Sequence, residues 1–168
     1  MQQEQARSAE EAYRAFCAGE PEAFGQLMEE FQQPLTGFLH GYVHSLETAE
    51  NLAEETFVEL LLHKERFRGQ NSFKIFLFSV ARHKAIGYIR REQRHPGFPS
   101  GKSIEYGEST IAGAIGRQPK EHQEVLRLLY LERLCYDEIA QVMRKKKKQV
   151  DNLAYRARKS LYGTLGED

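Results

Sequence analysis

Apolar residues at Phe24, Leu27, Met28, Phe31, Leu35, Phe38, Leu39, Tyr42 and Val43 return every three or four positions, the interval that lines one face of an α-helix. Pro34 falls inside this stripe. Because proline lacks an amide donor and its ring meets the preceding turn, a kink or short break is expected there. A second stripe comprises Ala49, Leu52, Ala53, Phe57, Leu60 and Leu61, with Ser45 or Thr48 placed to cap the helix. Its opposite face carries Glu50, Asn51, Glu54, Glu55 and Glu59. After the loop-forming "RGQNS", Ser72 can cap a third helix that carries Phe73, Phe76, Leu77, Val80, Ala81 and Ile89.

The pattern then lapses. Residues 95–116, "HPGFPSGKSIEYGESTIAGAIG", crowd Gly, Pro and Ser without a sustained period and read as a linker. A second helical unit is expected near Pro119. Val125, Leu128, Leu129 and Leu131 would bury one helix, Ile139, Ala140 and Met143 the next, and Val150, Ala154, Ala157 and Leu161 the last. No stretch alternates as a strand would. The predicted fold is all-α: two small helical domains, 8–93 and 117–168, joined by a flexible linker over 94–116.

Charge changes this picture more than composition does. The 168 residues balance 24 Lys and Arg against 24 Asp and Glu, yet the charges are segregated. Residues 1–60 hold two basic and twelve acidic side chains, and 61–103 hold ten and two. Residues 104–143 hold four and seven, and 144–168 hold eight and three. A formally neutral chain thus contains two separate basic patches, each suited to phosphate. The polar, acidic start and the lack of an eighteen-residue apolar run predict a cytoplasmic protein without membrane insertion.

Little points to catalysis. "GFPSGKS", Gly97 to Ser103, approaches a phosphate-binding loop but is one residue short and comes after no apolar strand. A nucleotide hydrolase built on it would lose binding with Lys102→Ala. His40 and His44 stand four apart without the acid of a His-Glu-x-x-His site. Cys17 and Cys135 lie far apart, in no metal-binding or redox spacing, and read as reduced, part-buried thiols. No catalytic residue, cofactor, metal or small-molecule substrate is predicted. The acids around Glu54 and Glu55 form either a solvated face or a docking surface for a protein.

"RKKKKQVDNLAYRARKS", Arg144 to Ser160, sets five cations in the turn between two amphipathic helices. They serve as a plain solvated turn, or they position the second helix on a DNA backbone, where charge and free helix-end amides both favour phosphate. The second reading fits a helix-turn-helix better.

These segments resemble a known family. "AENLAEETFVELL" resembles the helix of bacterial sigma-70-type factors that docks on the clamp helices of the largest RNA polymerase subunit; Leu52, Glu55 and Phe57 are kept, while Asn51 and Glu54 stand for an Asp and a Gln. "FRGQNSFKIFLFSVARHKAIGYIRRE" resembles the segment that melts and reads the minus-10 promoter element, with Phe76 where a Trp is usual, Ala81 and Arg82 kept, and Gly87 where an Asp is common. "EVLRLLYLERLCYDEIAQVM" with "QVDNLAYRARKSL" is similar to the domain that reads the minus-35 element. The order and length resemble the two-domain extracytoplasmic-function (ECF) class.

The resemblance implies roles for named residues. Asn51, Leu52, Glu54, Glu55 and Phe57 would dock on polymerase. Arg66, Arg68, Gln70, Asn71 and Ser72, in a base-capturing loop, would contact the minus-10 element together with His83, Lys84, Tyr88, Arg90 and Arg91. At the minus-35 element, Lys147, Lys148 and Gln149 would hold phosphates, Asp151, Asn152, Tyr155 and Arg156 would enter the groove, and Lys159 would lie against the backbone. Leu153 and Ala154 are expected to pack. The implied partners are core RNA polymerase, promoter DNA and an anti-sigma factor, which could hold the chain at the membrane, and the linker would thread near the RNA exit path. The alternative is a stand-alone helix-turn-helix regulator with an N-terminal helical sensor or dimerisation domain, which would bind duplex DNA without polymerase.

Overall fold

The computed structural model describes residues 7–67, 72–94 and 111–166; all regular structure among them is helical. The chain divides into two compact units, Met1–Phe98 and Pro99–Asp168. The first contains α1 (Ala9–Cys17), α2 (Pro21–Val43), α3 (Leu46–Leu62), a 3-10 turn (Lys64–Arg66) and α4 (Phe73–Glu92).

Helix α2 is the spine of this unit and packs on α1, α3 and α4. Its inward stripe, Phe24, Leu27, Phe31, Leu35, Phe38 and Leu39, is buried, while Met28, Tyr42 and Val43 are half-buried. Of the kink or short break expected at Pro34, no break occurs, for α2 runs continuously through it. Pro34 and Glu30, whose carbonyl the proline leaves without its amide, are both exposed, so water can serve that carbonyl. The helix ends at His44, which takes the left-handed conformation at φ 59° and donates its N–H to the His40 carbonyl.

Ser45, rather than Thr48, caps α3, accepting the Thr48 amide at 3.3 Å. Ala49, Leu52, Ala53, Phe57 and Leu60 are buried as expected, but Leu61 is exposed. The capping role of Ser72 holds, its Oγ accepting the Ile75 amide at 3.1 Å. The buried face of α4, however, consists of Phe73, Ile75, Leu77, Phe78, Ala81 and Ala85, with Phe76, Val80 and Ile89 only half-buried. Helix α4 touches α1, α2 and α3, so its buried arc is wider than one stripe.

Helix α1 was not anticipated. Tyr13 and Phe16 from it are buried, and Tyr13 joins Phe67 and Phe73 with ring centroids 5.3 and 5.1 Å away. Its hydroxyl donates to the Leu60 carbonyl at 3.3 Å, and its phenol is pushed up to about 12, chiefly by burial.

The second unit contains α5 (Ile111–Gly116), α6 (Lys120–Leu126), a π-helical turn (Arg127–Leu131), α7 (Tyr136–Met143) and α8 (Lys147–Gly166). It begins earlier than Pro119: residues 111–116, read as linker, form a helix whose Ala114 and Ile115 are buried. Gln118, itself buried, fastens this start to the end of α8. Its amide donates to Thr164 Oγ1 at 2.9 Å, and its Oε1 accepts the Ser160 hydroxyl at 2.5 Å. The π turn adds a residue to one helical turn and shifts the phase of the side chains after it. Leu126 is buried with Val125 ahead of the turn and Leu128 within it, Leu134 is buried beyond it, and Leu129 is half-buried while Leu131, at the end of the turn, is 49% exposed.

Candidate nucleic-acid and protein interfaces

The five predicted docking residues on α3 separate into two groups. Leu52 and Phe57 are core side chains, at 3% and 2% exposure, whereas Asn51, Glu54 and Glu55 lie on the solvent face. A shallow groove along that face is lined by Asn51, Glu54, Glu55, Val58, Glu59, Leu62, His63 and Lys84. Val58 and Leu62 are large apolar residues left exposed there, a pattern that marks interaction surfaces when the apolar residues are contiguous and rimmed by charge. Their presence on the polar side of the stripe was the available signal, and sequence reasoning missed both.

On α4, His83, Arg90 and Arg91 are exposed while Lys84 and Tyr88 are half-buried. His83, Arg90 and Arg91 lie away from the buried Leu77, Ala81 and Ala85, and the exposed Arg94 follows just past the helix end, so the basic side chains form one outward stripe. Ser72 serves as the cap and Arg66 ends the 3-10 turn. Arg68, Gln70 and Asn71 lie outside the described residues, as does "GFPSGKS". What the structure shows is how the flanks of that loop are held. Phe67 and Phe73 pack at 6.0 Å and share Tyr13, and Phe76 lies 5.3 Å from Phe67. Glu10 of α1 accepts the Phe73 amide at 2.9 Å. Glu59 of α3 accepts from Arg66 at 3.0 Å and lies 3.5 Å from Lys84 Nζ.

In the second unit, α7 starts with Glu138 accepting the Cys135 amide at 2.9 Å. It ends at Arg144, which adopts φ 55° and ψ 46°. The next amide, of Lys145, donates to the Ala140 carbonyl at 3.0 Å, a closure that reverses the chain within three residues. Gln149 reaches back from the first turn of α8 to accept the Lys146 amide at 2.9 Å, which leaves its NH2 as the end available to a phosphate. Lys147 lies 3.6 Å from Asp137, and Lys145 lies 3.4 Å from Glu121. Such exposed pairs are worth about 1 kcal/mol or less and are readily exchanged for phosphate.

The long helix α8 divides cleanly. Val150, Leu153, Ala154, Ala157 and Leu161 are buried, whereas Lys148, Asp151, Asn152, Tyr155, Arg156 and Lys159 are exposed. Tyr155 is 67% exposed, so its ring presents both an apolar face and a hydroxyl outward. Further along, the Tyr130 and Tyr162 hydroxyls lie 3.3 Å apart; this contact raises the Tyr130 phenol above its ordinary value.

Among the described residues no His, Cys, Asp and Glu form a metal-binding cluster. Cys17 and Cys135 are free thiols but exposed rather than part-buried; each sits at a helix end, where its neighbours leave it open. No described helix is long and apolar enough to cross a membrane.

Comparison with known proteins identifies the family behind these surfaces. The model for sigma-70 region 2 matches residues 27–95, and that for sigma-70 region 4 matches 111–161. The chain belongs to the sigma-70 family. Among curated relatives, this sigma factor is 29% identical over 151 residues to RNA polymerase sigma factor YlaC of Bacillus subtilis, covering 80% of the chain and 87% of YlaC. It is 26% identical to the ECF sigma factor BldN of Streptomyces coelicolor, covering 90% of the chain and 63% of BldN. These relatives place it in the ECF class. Two solved structures share the fold. CnrH, in complex with the cytosolic domain of CnrY, matches with TM-score 0.72 and 20% identity over 96% of this chain and 99% of that one. The sigma factor RpoE of Bartonella quintana, in complex with the anti-sigma factor NepR, matches with TM-score 0.68 and 17% identity over 86% and 98%.

Proposed function

We propose that this ECF sigma factor binds core RNA polymerase through the outer face of α3, contacts the minus-10 element with Arg66, Ser72 and the outward stripe of α4, and reads the minus-35 element with α8. The observation that carries this reading is the division of α8. Its buried side chains fix its rotation, so that Lys148, Asn152, Tyr155, Arg156 and Lys159 share one exposed surface beside the basic turn. Asn pairs with adenine and Arg with guanine in a major groove, each worth about 1–3 kcal/mol of discrimination. Lys147, Lys148, Gln149 and Lys159 hold the flanking phosphates, which fix register without reading sequence.

On α3, docking rests on Asn51, Glu54 and Glu55 with the exposed Val58 and Leu62, while Leu52 and Phe57 act by holding the helix in place. Arg68, Gln70 and Asn71 complete the minus-10 set. The chain acts as an initiation factor in the cytoplasm, with polymerase supplying catalysis, and an anti-sigma factor covers it when it is inactive, as CnrY and NepR bind the two structural relatives. The test is run-off transcription by bacterial core polymerase on a promoter library, with and without the protein. Transcripts that require it and share two upstream elements at fixed spacing support the reading. Tight binding to duplex DNA without polymerase, and no initiation with it, would point to a stand-alone regulator.

A further inference from the structure

On the acidic face of α3, Glu59 meets cations of two other elements. Its Oε1 accepts Arg66 Nη1 at 3.0 Å and its Oε2 lies 3.5 Å from Lys84 Nζ. Arg66 closes the 3-10 turn after α3, and Lys84 lies on α4. A single carboxylate thus ties three elements together at the edge of the basic stripe. Its two oxygens face different cations, so it can hold both at once and offset their mutual repulsion. Each cation keeps donors for another acceptor, since a guanidinium has five N–H groups and an ammonium three.

We infer that Glu59 is a positioning residue for promoter opening, fixing Arg66 and Lys84 where together they meet the phosphates of the minus-10 strand. The inference rests on the assignment of Arg66 and Lys84 as strand contacts. In water, long cationic side chains explore many rotamers, and holding two of them beforehand reduces the entropy lost when the strand arrives. The half-buried carboxylate, 27% exposed, supplies that restraint from the rigid side of the unit. Glu59 and Lys84 line the same groove as Glu54 and Glu55, but the Glu59 carboxylate is engaged by Arg66 and Lys84 while Glu54 and Glu55 face solvent, so core polymerase affinity is the readout that separates the two roles.

The test is a mutant cycle read by permanganate reactivity of unpaired thymines in promoter complexes of the reconstituted holoenzyme. The variants are Glu59→Ala, Glu59→Gln, the pair Arg66→Ala with Lys84→Ala, and all three alanine changes together. Glu59→Ala is expected to lower opening of duplex promoters about fivefold, yet by less than about twofold when Arg66 and Lys84 are already alanine. Glu59→Gln, which keeps an acceptor, falls between wild type and Glu59→Ala. A premelted promoter, in which the strand is already free, still shows the binding defect, because the contact being organised is to the strand itself. Three results overturn the inference: equal losses in both backgrounds, tighter promoter binding by Glu59→Ala, or lost affinity for core polymerase. If the Arg66 and Lys84 pair itself opens promoters normally, the strand assignment fails, and the inference fails with it.

Discussion

Replacing Glu10 by alanine removes the bond that ties α1 to the start of α4. The carboxylate accepts the Phe73 amide at 2.9 Å, across 63 residues of sequence, at a part-buried position. That amide is the first of α4, one of the helix-end donors with no partner within the helix. Ser72 serves the Ile75 amide instead, so no neighbouring side chain is placed to substitute. A hydrogen bond to a charged group contributes about 1.5–3 kcal/mol, and a carboxylate at a helix N-terminus adds about 0.3–1 kcal/mol through the dipole. Partial access of water to the site reduces the sum, leaving about 2 kcal/mol for Glu10→Ala and about 1 kcal/mol for Glu10→Gln, which keeps an acceptor but not the charge. In a unit of this size about 2 kcal/mol lowers Tm by roughly 10 °C. The chain has no tryptophan, so unfolding is monitored by circular dichroism at about 222 nm, where helical peptide groups absorb. Hydrogen exchange at the Phe73 amide localises the effect, and protection there should fall first. If Glu10→Ala stays within about 0.5 kcal/mol of wild type and Phe73 keeps its protection, the bond does not hold α1 to α4, and the reasoning is refuted.

The same geometry sets other expectations. Tyr13→Phe keeps the ring contacts and loses the hydroxyl with its bonds to the Leu60 carbonyl and Cys17, so urea melts near neutral pH should show a cost of about 1 kcal/mol. Because burial raises the Tyr13 phenol from 10.0 to about 12, the folded state holds that proton more tightly than the unfolded state. Its contribution is complete below the unfolded value of 10.0 and is lost as pH rises towards about 12; the wild-type unit should therefore weaken over that window more than Tyr13→Phe does. Leu52→Ala and Phe57→Ala empty core sites and should each destabilise the fold by about 2–5 kcal/mol in chemical denaturation. Glu54→Lys with Glu55→Lys should leave Tm nearly unchanged while weakening core polymerase binding, measured by fluorescence anisotropy. Arg156→Ala should reduce discrimination at one minus-35 base pair by about 1–3 kcal/mol in competition run-off assays, whereas Lys159→Ala should weaken all promoters alike and lessen the salt dependence.

Local features were legible in the chain alone. Intervals of three and four located α2, α3, α4, α7 and α8; Ser45 and Ser72 stood where caps belong; and the segregated charges separated an acidic helix from two basic ones. The division of α8 was legible because one regular helix with a simple stripe leaves little choice of face. Tertiary packing selected which apolar residues a helix buries when it has several neighbours. Helix α4 meets three partners and so buries Ile75, Phe78 and Ala85 with Phe73, Leu77 and Ala81 of the expected stripe, leaving Phe76, Val80 and Ile89 half-buried, while the π turn ends with Leu131 exposed. Packing also buried Leu52 and Phe57 in the core beneath α3, since a motif fixes spacing but not orientation. The roles of Glu10 and Glu59 could not be read in advance: each bonds to an element that chain folding brings to it, and nothing in the local pattern around an acid names its distant partner.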